Sequence, residues 1–138
     1  MQEACEASAG GMAAIVGLDQ EAVRSVCDQA DVSLANLNCP GQIVVSGDID
    51  KIDAACDAAK TAGAKRAIPL PVAGAYHSPL MQPARFGLAE ALAKVELSEP
   101  SVPVYSNVTG QSHAAAGTIA GTMVDHCLLY TSPSPRDA

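Results

Sequence analysis

The segment Gln42-Ile43-Val44-Val45-Ser46-Gly47-Asp48-Ile49-Asp50-Lys51-Ile52 changes its apolar period midway, and that change decides the fold. Gln42–Ser46 is a short run rich in β-branched residues, which suits a strand. From Gly47-Asp48 onward the apolar positions are Ile49, Ile52, Cys56 and Ala59, the spacing of one helix face. Gly63 predicts its end, because glycine enters the left-handed conformation that closes a helix without a Cβ penalty. Lys65–Leu70 then reads as a strand, ended by Pro69 and Pro71. On the N-terminal side, Val32, Leu34 and Asn36 alternate as a strand that Asn38-Cys39-Pro40-Gly41 breaks. Before it, Asp19 caps a helix with Val23, Val26, Cys27 and Ala30 on one face, and Gly11–Leu18 suits a buried strand. The order is β-α-β-β-α-β, the split arrangement of a ferredoxin-like fold within the α/β class.

A second unit begins after Pro71. Ser78 is a helix cap with Pro79 at the first position, and Leu80, Ala84, Leu88, Ala91, Leu92 and Val95 mark the expected buried face. Pro83, in the early turns, is expected to bend this helix slightly. Val102–Val108 reads as a strand, Gly110–Gly117 as a polar loop, and Thr118–His126 as the start of another helix.

The chain has 138 residues with 8 Lys plus Arg against 15 Asp plus Glu, a formal charge of −7. A general nucleic-acid binder needs the opposite excess, so no nucleic-acid partner is expected. Apolar residues at 49% exclude a disordered chain. However, one Phe, three Tyr and no Trp leave an alanine-rich core that removes little area from water. No run reaches the roughly 18–20 apolar residues of a membrane span, and the N-terminus is acidic where a secretory signal is basic. The five cysteines form no C-x-x-C, and the three histidines have no metal-ligand spacing. The expectation is a cytoplasmic protein with no metal and no cofactor.

His77 is the histidine best placed for chemistry. It follows the loop Val72–Tyr76 and precedes the Ser78-Pro79 helix start, where the helix dipole disfavours an imidazolium. A general base near neutral pH must be such a neutral ring. The same placement also fits a histidine that only hydrogen-bonds at a loop–helix corner. Asn36–Gln42 gathers amides in a Pro-Gly turn, able to aim donors at a carboxylate, although asparagine is also an ordinary turn residue. Lys60, Lys65 and Arg66 interrupt an otherwise acidic sequence, either as a solvated surface or as a landing spot for a phosphorylated or acidic partner.

Five segments in order carry a resemblance: Asn36–Gly47, Gly63-Ala64-Lys65-Arg66, Pro69-Leu70-Pro71-Val72, Ala75-Tyr76-His77-Ser78-Pro79-Leu80-Met81, and Pro103–Gly110. Together they resemble the malonyl-CoA:acyl carrier protein transacylase family, from Met1 to about His126. The resemblance implies a ferredoxin-like small subdomain, residues 1–71, inserted in a hydrolase-like α/β body, of which 72–126 is an incomplete return segment. It implies ping-pong transfer of malonyl from malonyl-CoA, through a serine ester, to the phosphopantetheine thiol of acyl carrier protein in fatty-acid synthesis. His77 matches the catalytic base. Tyr76 matches the aromatic of malonyl-using relatives, whose ring would crowd a branched α-carbon. Asn38 and Gln42 would line the acyl pocket. Lys65 and Arg66 would face CoA phosphates or the acidic carrier protein.

The family's nucleophile sits in a G-H-S-x-G elbow, and this sequence has none. The malonyl-gripping arginine, the oxyanion-hole turn and the later G-P-G segment that orients the histidine are also absent from it. An inactive internal fragment is therefore expected. Residues 127–138 resemble no part of the family and read like the in-frame translation of a transposase sequencing adapter, a non-native tail. Two other readings stay open: a ferredoxin-like module that docks a carrier protein or small molecule without catalysis, and the acyltransferase domain of a polyketide synthase.

Overall fold

The computed structural model describes residues 2–113 and 115–128. The elements are α1 (Gln2–Glu6), β1 (Gly10–Val16), α2 (Gln20–Ala30), β2 (Ser33–Cys39), β3 (Gln42–Asp48), α3 (Ile49–Thr61), β4 (Arg66–Leu70), α4 (Gln82–Leu92) and α5 (Ala116–His126), with a 3-10 turn at Pro79–Met81. The expected β-α-β-β-α-β order therefore holds. The four strands form one antiparallel sheet in the order β2-β3-β1-β4.

The helix signals act as read. Asp19 is extended at the cap of α2, and its Oδ1 accepts from the Ala22 amide at 2.8 Å. Gly63 has φ +99°, and Ala64 N–H reaches back to the Ala59 carbonyl at 2.9 Å, closing α3. Asp31 plays the glycine's part at the end of α2, with φ 53° and a carboxylate that holds Lys51. Along α3 the buried set is Ile52, Ala55, Cys56 and Ala59. Ile49, expected among them, is 46% exposed at the first turn.

α2 and α3 cover one face of the sheet. Ala13, Ile15, Ile43 and Val45 meet Val23, Val26, Cys27 and Ile52 there, each at most 6% exposed. A fully buried Val or Ile stabilises by roughly 1.5–3 kcal/mol. The opposite, open face carries Met12, Ala35 and Val44, with Leu70 and Tyr76 packed against them. The predicted alternation of β2 does not hold. The strand runs through Asn38 to Cys39 and shifts register between Leu34 and Asn36 and again between Leu37 and Cys39. These bulges let Leu34 and Leu37, three residues apart, both pack toward the helices. β4 is an edge strand, with Pro69 opposite Ala13.

Beyond residue 71 the expectations need correction. Ser78 caps only the 3-10 turn, and α4 starts at Gln82 with Pro83 in its first turn. Two prolines four residues apart set two successive starts, since each lacks an amide and fits an N-terminal position. On the predicted apolar face Ala84 is buried, but Ala91 and Val95 are exposed, and α4 stops at Leu92. Val102–Val108 forms no strand, only an isolated bridge from Tyr105 to Ser112. A strand needs a neighbouring edge, and here the chain folds back on itself through Ser106–Gln111 and Val104–His113 backbone bonds of 2.9 Å each. Val102 and Tyr105 stay 65% and 68% exposed. Residues 129–138, most of the segment read as a non-native tail, lie outside the described residues.

Candidate active site

The loop before His77 is seated by contacts that need small residues. A Cβ on Gly10 of β1 would stand 2.5 Å from the Ala75 amide nitrogen, and one on Gly74 would stand 2.5 Å from Cys5 Sγ. The loop therefore lies directly on β1 and α1. Tyr76 is half-buried and packs against two clusters, that of Met12, Ala35 and Val44 on the sheet and that of Ala4, Cys5, Met81 and Ala84 on the α1–α4 side. Ser78, 1% exposed, donates its hydroxyl to the Ala75 carbonyl at 2.7 Å and locks the corner.

His77 has φ 60°, a left-handed conformation rarely adopted by a residue with a Cβ. Such a conformation persists only when surrounding contacts hold it. Its Nδ1 is 3.1 Å from the His126 carbonyl oxygen, which can only accept, so Nδ1 carries a proton and the neutral form of the ring has its lone pair on Nε2. That is the tautomer a general base needs. The expected source of neutrality, a helix dipole, shrinks to a three-residue turn; a backbone carbonyl at the end of α5 sets the tautomer instead.

A cavity of about 660 Å³ opens at this corner, with Tyr76, His77, Ser106, His113, Thr122 and His126 among its polar walls. Its sides come from α4, α5 and the 104–113 loop, and Arg85 Nη2 to Asp125 Oδ1, 3.0 Å, ties the two helices. The rings of His77 and His126 meet edge to face, centroids 5.3 Å apart. Burial and then the neighbouring His77 hold His126 below the usual histidine range. Sequence spacing gave no hint of this pairing, because α5 returns 49 residues later to meet the loop. Among the described residues no hydroxyl is hydrogen-bonded to His77 Nε2. Ser106 Oγ accepts from the Val108 amide at 3.1 Å, and it sits in a turn rather than a strand-to-helix elbow.

Asn38, Gln42, Lys65 and Arg66 do not line this cavity. Cys39, Gln42, Val16 and Arg66 form one rung across all four strands, at the hairpin end of the sheet. Met12, Ser46 and Leu70 form another rung, and Tyr76 packs against the cluster that includes Met12. Four residues along β1 separate the rungs, roughly 13 Å. Gln42 and Arg66 share the open face with Tyr76, and the Asn36 amide donates to Asn38 Oδ1 at 2.7 Å beside them. Lys65 lies off this row, its side chain against Gly17. Lys60, the third cation of the predicted spot, pairs with Asp57 at 3.3 Å.

The sequence matches the acyl transferase domain family over residues 1–133. The chain belongs to the acyl transferase domain family. It is 50% identical over 136 residues to the malonyl CoA-acyl carrier protein transacylase of Bacillus subtilis, covering 95% of this chain and 42% of that protein. The chain thus spans about two fifths of the length of such relatives. Its fold superposes on an acyl carrier protein S-malonyltransferase of Vibrio cholerae with TM-score 0.86 at 39% identity, covering 97% of this chain and 44% of that one. A type II PKS acyl-carrier protein in complex with its malonyl-transacylase gives 0.88 at 34%, covering 94% and 44%. Among the described residues of this acyl transferase segment, no helix is long and apolar enough to cross a membrane.

Proposed function

We propose that this chain is a segment of a malonyl-CoA:acyl carrier protein transacylase, with residues 1–71 as a ferredoxin-like subdomain inserted in a hydrolase-like α/β body. The strand order supports the subdomain reading. The observation that carries the function is His77, held at Nδ1 by a backbone carbonyl at the wall of a cavity. In the proposed reaction a serine outside these 138 residues gives its proton to His77 Nε2 as its oxygen attacks the malonyl thioester carbon. The carbon–sulfur bond breaks, and His77 protonates the departing CoA sulfur. The phosphopantetheine thiol then gives His77 its proton, attacks the serine ester and takes the malonyl group, and the serine oxygen recovers the proton.

In this reading Tyr76 shapes the acyl site beside His77, and Asn38 and Gln42 bound it farther along the open face of the sheet, outside the cavity His77 walls. Arg66 and Lys65 meet the anionic groups of CoA or carrier protein. Five free thiols suit a reducing cytoplasm. The 138-residue chain by itself is inactive, because the base acts only with its nucleophile.

The test has two arms, both following radiolabelled malonyl from malonyl-CoA to holo-acyl carrier protein. The 138-residue chain should transfer nothing. A chimera with residues 1–126 in place of the matching segment of the Bacillus subtilis relative should transfer malonyl and lose that activity with His77→Ala. Turnover by the chain alone overturns the fragment reading, and a chimera indifferent to His77→Ala overturns the role of His77.

A further inference from the structure

We infer that Arg85 and Asp125 are positioning residues for His77, acting as a pair that fixes where the last turn of α5 meets the His77 corner. The inference rests on the malonyl-transfer reading above and adds two residues from outside every motif that led to it. α5 has no fully buried side chain to fix where its end lies. Its outward ties are polar: Thr122 Oγ1 lies 3.4 Å from His113 Nδ1, and Arg85 Nη2 donates to Asp125 Oδ1 at 3.0 Å. Asp125 directly precedes His126, whose carbonyl oxygen is 3.1 Å from His77 Nδ1. In the same turn the Val124 carbonyl accepts from the Cys127 amide at 3.2 Å, and the Asp125 carbonyl from the Leu128 amide at 3.1 Å. Carbonyls of a last helical turn lack the partner four residues on, and that of His126 goes to the imidazole.

The signs of the two charges point the same way. A helix C-terminus favours cations and an N-terminus favours anions. Asp125 sits in the last turn of α5 and Arg85 is the fourth residue of α4, so each opposes the dipole of its own helix. Neither is placed for its own helix; each is placed for the other. The side chains are 33% and 47% exposed, so the pair adds little to stability, yet a guanidinium on a carboxylate sets both a distance and an angle. The contacts form a closed loop: from His77 through the 3-10 turn into α4, across Arg85 to Asp125, and through the His126 carbonyl back to the ring. Breaking the pair frees the carbonyl to drift and the ring to turn with it, while the sheet and its two helices are untouched.

Two variants separate positioning from plain stability. Asp125→Ala removes a charge that opposes its helix dipole, and Arg85→Met keeps the apolar stem without the guanidinium. In the chimera each should lower kcat for malonyl transfer about fivefold, the weight of one half-exposed ion pair, with KM for malonyl-CoA unchanged. The melting temperature of Asp125→Ala should stay level or rise, because alanine is the better helix former in that turn. In ¹⁵N spectra of the 138-residue chain at pH 8, the Nε2–H form of His77 should gain population in Arg85→Met. An unchanged kcat, a kcat lost only in step with the melting temperature, or an unmoved His77 tautomer overturns the inference. A chimera with both residues intact that transfers no malonyl defeats the malonyl reading alone, and the His77 tautomer in Arg85→Met then still decides the positioning.

Discussion

His77 Nδ1 and the His126 carbonyl oxygen, 3.1 Å apart, join the end of α5 to the loop that follows β4. The bond commits one ring nitrogen as donor and leaves the other as acceptor. In ¹⁵N spectra of the imidazole at pH 8, His77 should show the Nδ1–H tautomer. An Nε2–H signal would remove the basis for its role.

His77 also pays a conformational cost at φ 60°, about 1–2 kcal/mol for a residue with a Cβ. His77→Gly should therefore relieve strain and raise the melting temperature of the 138-residue chain, less whatever the lost carbonyl bond contributed. The same substitution should abolish malonyl transfer in the chimera. A protein that loses stability with His77→Gly would show that packing, not strain, dominates this corner.

His126 supplies a pH dependence. Its pKa lies below the ordinary 6.5, because burial and then His77 oppose its charge. The unfolded chain therefore takes up this proton at higher pH than the folded one. Stability should fall as pH drops through 6.5 toward the folded value, and be unaffected by this group above it. Melting curves between pH 8 and pH 5 should show a shallower acid decline in His126→Asn than in the parent.

Gly10→Ala tests the seat of the loop. The new methyl would face the Ala75 backbone at 2.5 Å, so the loop and His77 must shift. The chimera should lose malonyl transfer far beyond its loss of stability, since a displacement near 1 Å can cost about 100-fold. Parallel loss of both, tracked by thermal melts, would make Gly10 a folding residue only.

Asp19→Ala and Ile15→Ala calibrate the fold itself. Losing the α2 cap should cost about 1 kcal/mol. Emptying the wholly buried Ile15 site should cost about 2–5 kcal/mol. Urea melts that reverse this order would mean that the α2–α3 face of the sheet is not the main core.

The βαββαβ unit was legible because its signals are local. Asp19 bonds Ala22 within one turn, and Gly63 closes α3 through Lys60 and Ala59. What escaped reading depends on contacts far along the chain. Leu34 and Leu37 share a face only because bulges against β3 absorb the odd residue. Val102–Val108 has strand chemistry and no strand partner, so propensity alone misleads there. At the candidate site His77 stood out by its place between a loop and a helix start, and Tyr76 through the resemblance of the segment around it. His126 was missed because nothing near it in sequence marks a residue whose carbonyl will hold another histidine.

Pro69 lies in β4 at one margin of the sheet, and two bulges interrupt β2 at the other. The first margin lacks an amide where an incoming chain would need one, and the second has lost its regular ladder. The sheet therefore has a closed width of four strands and resists lengthening by a neighbour. What such a unit offers a neighbour is a broad surface and not a strand margin, and one of its two faces displays Gln42 and Arg66.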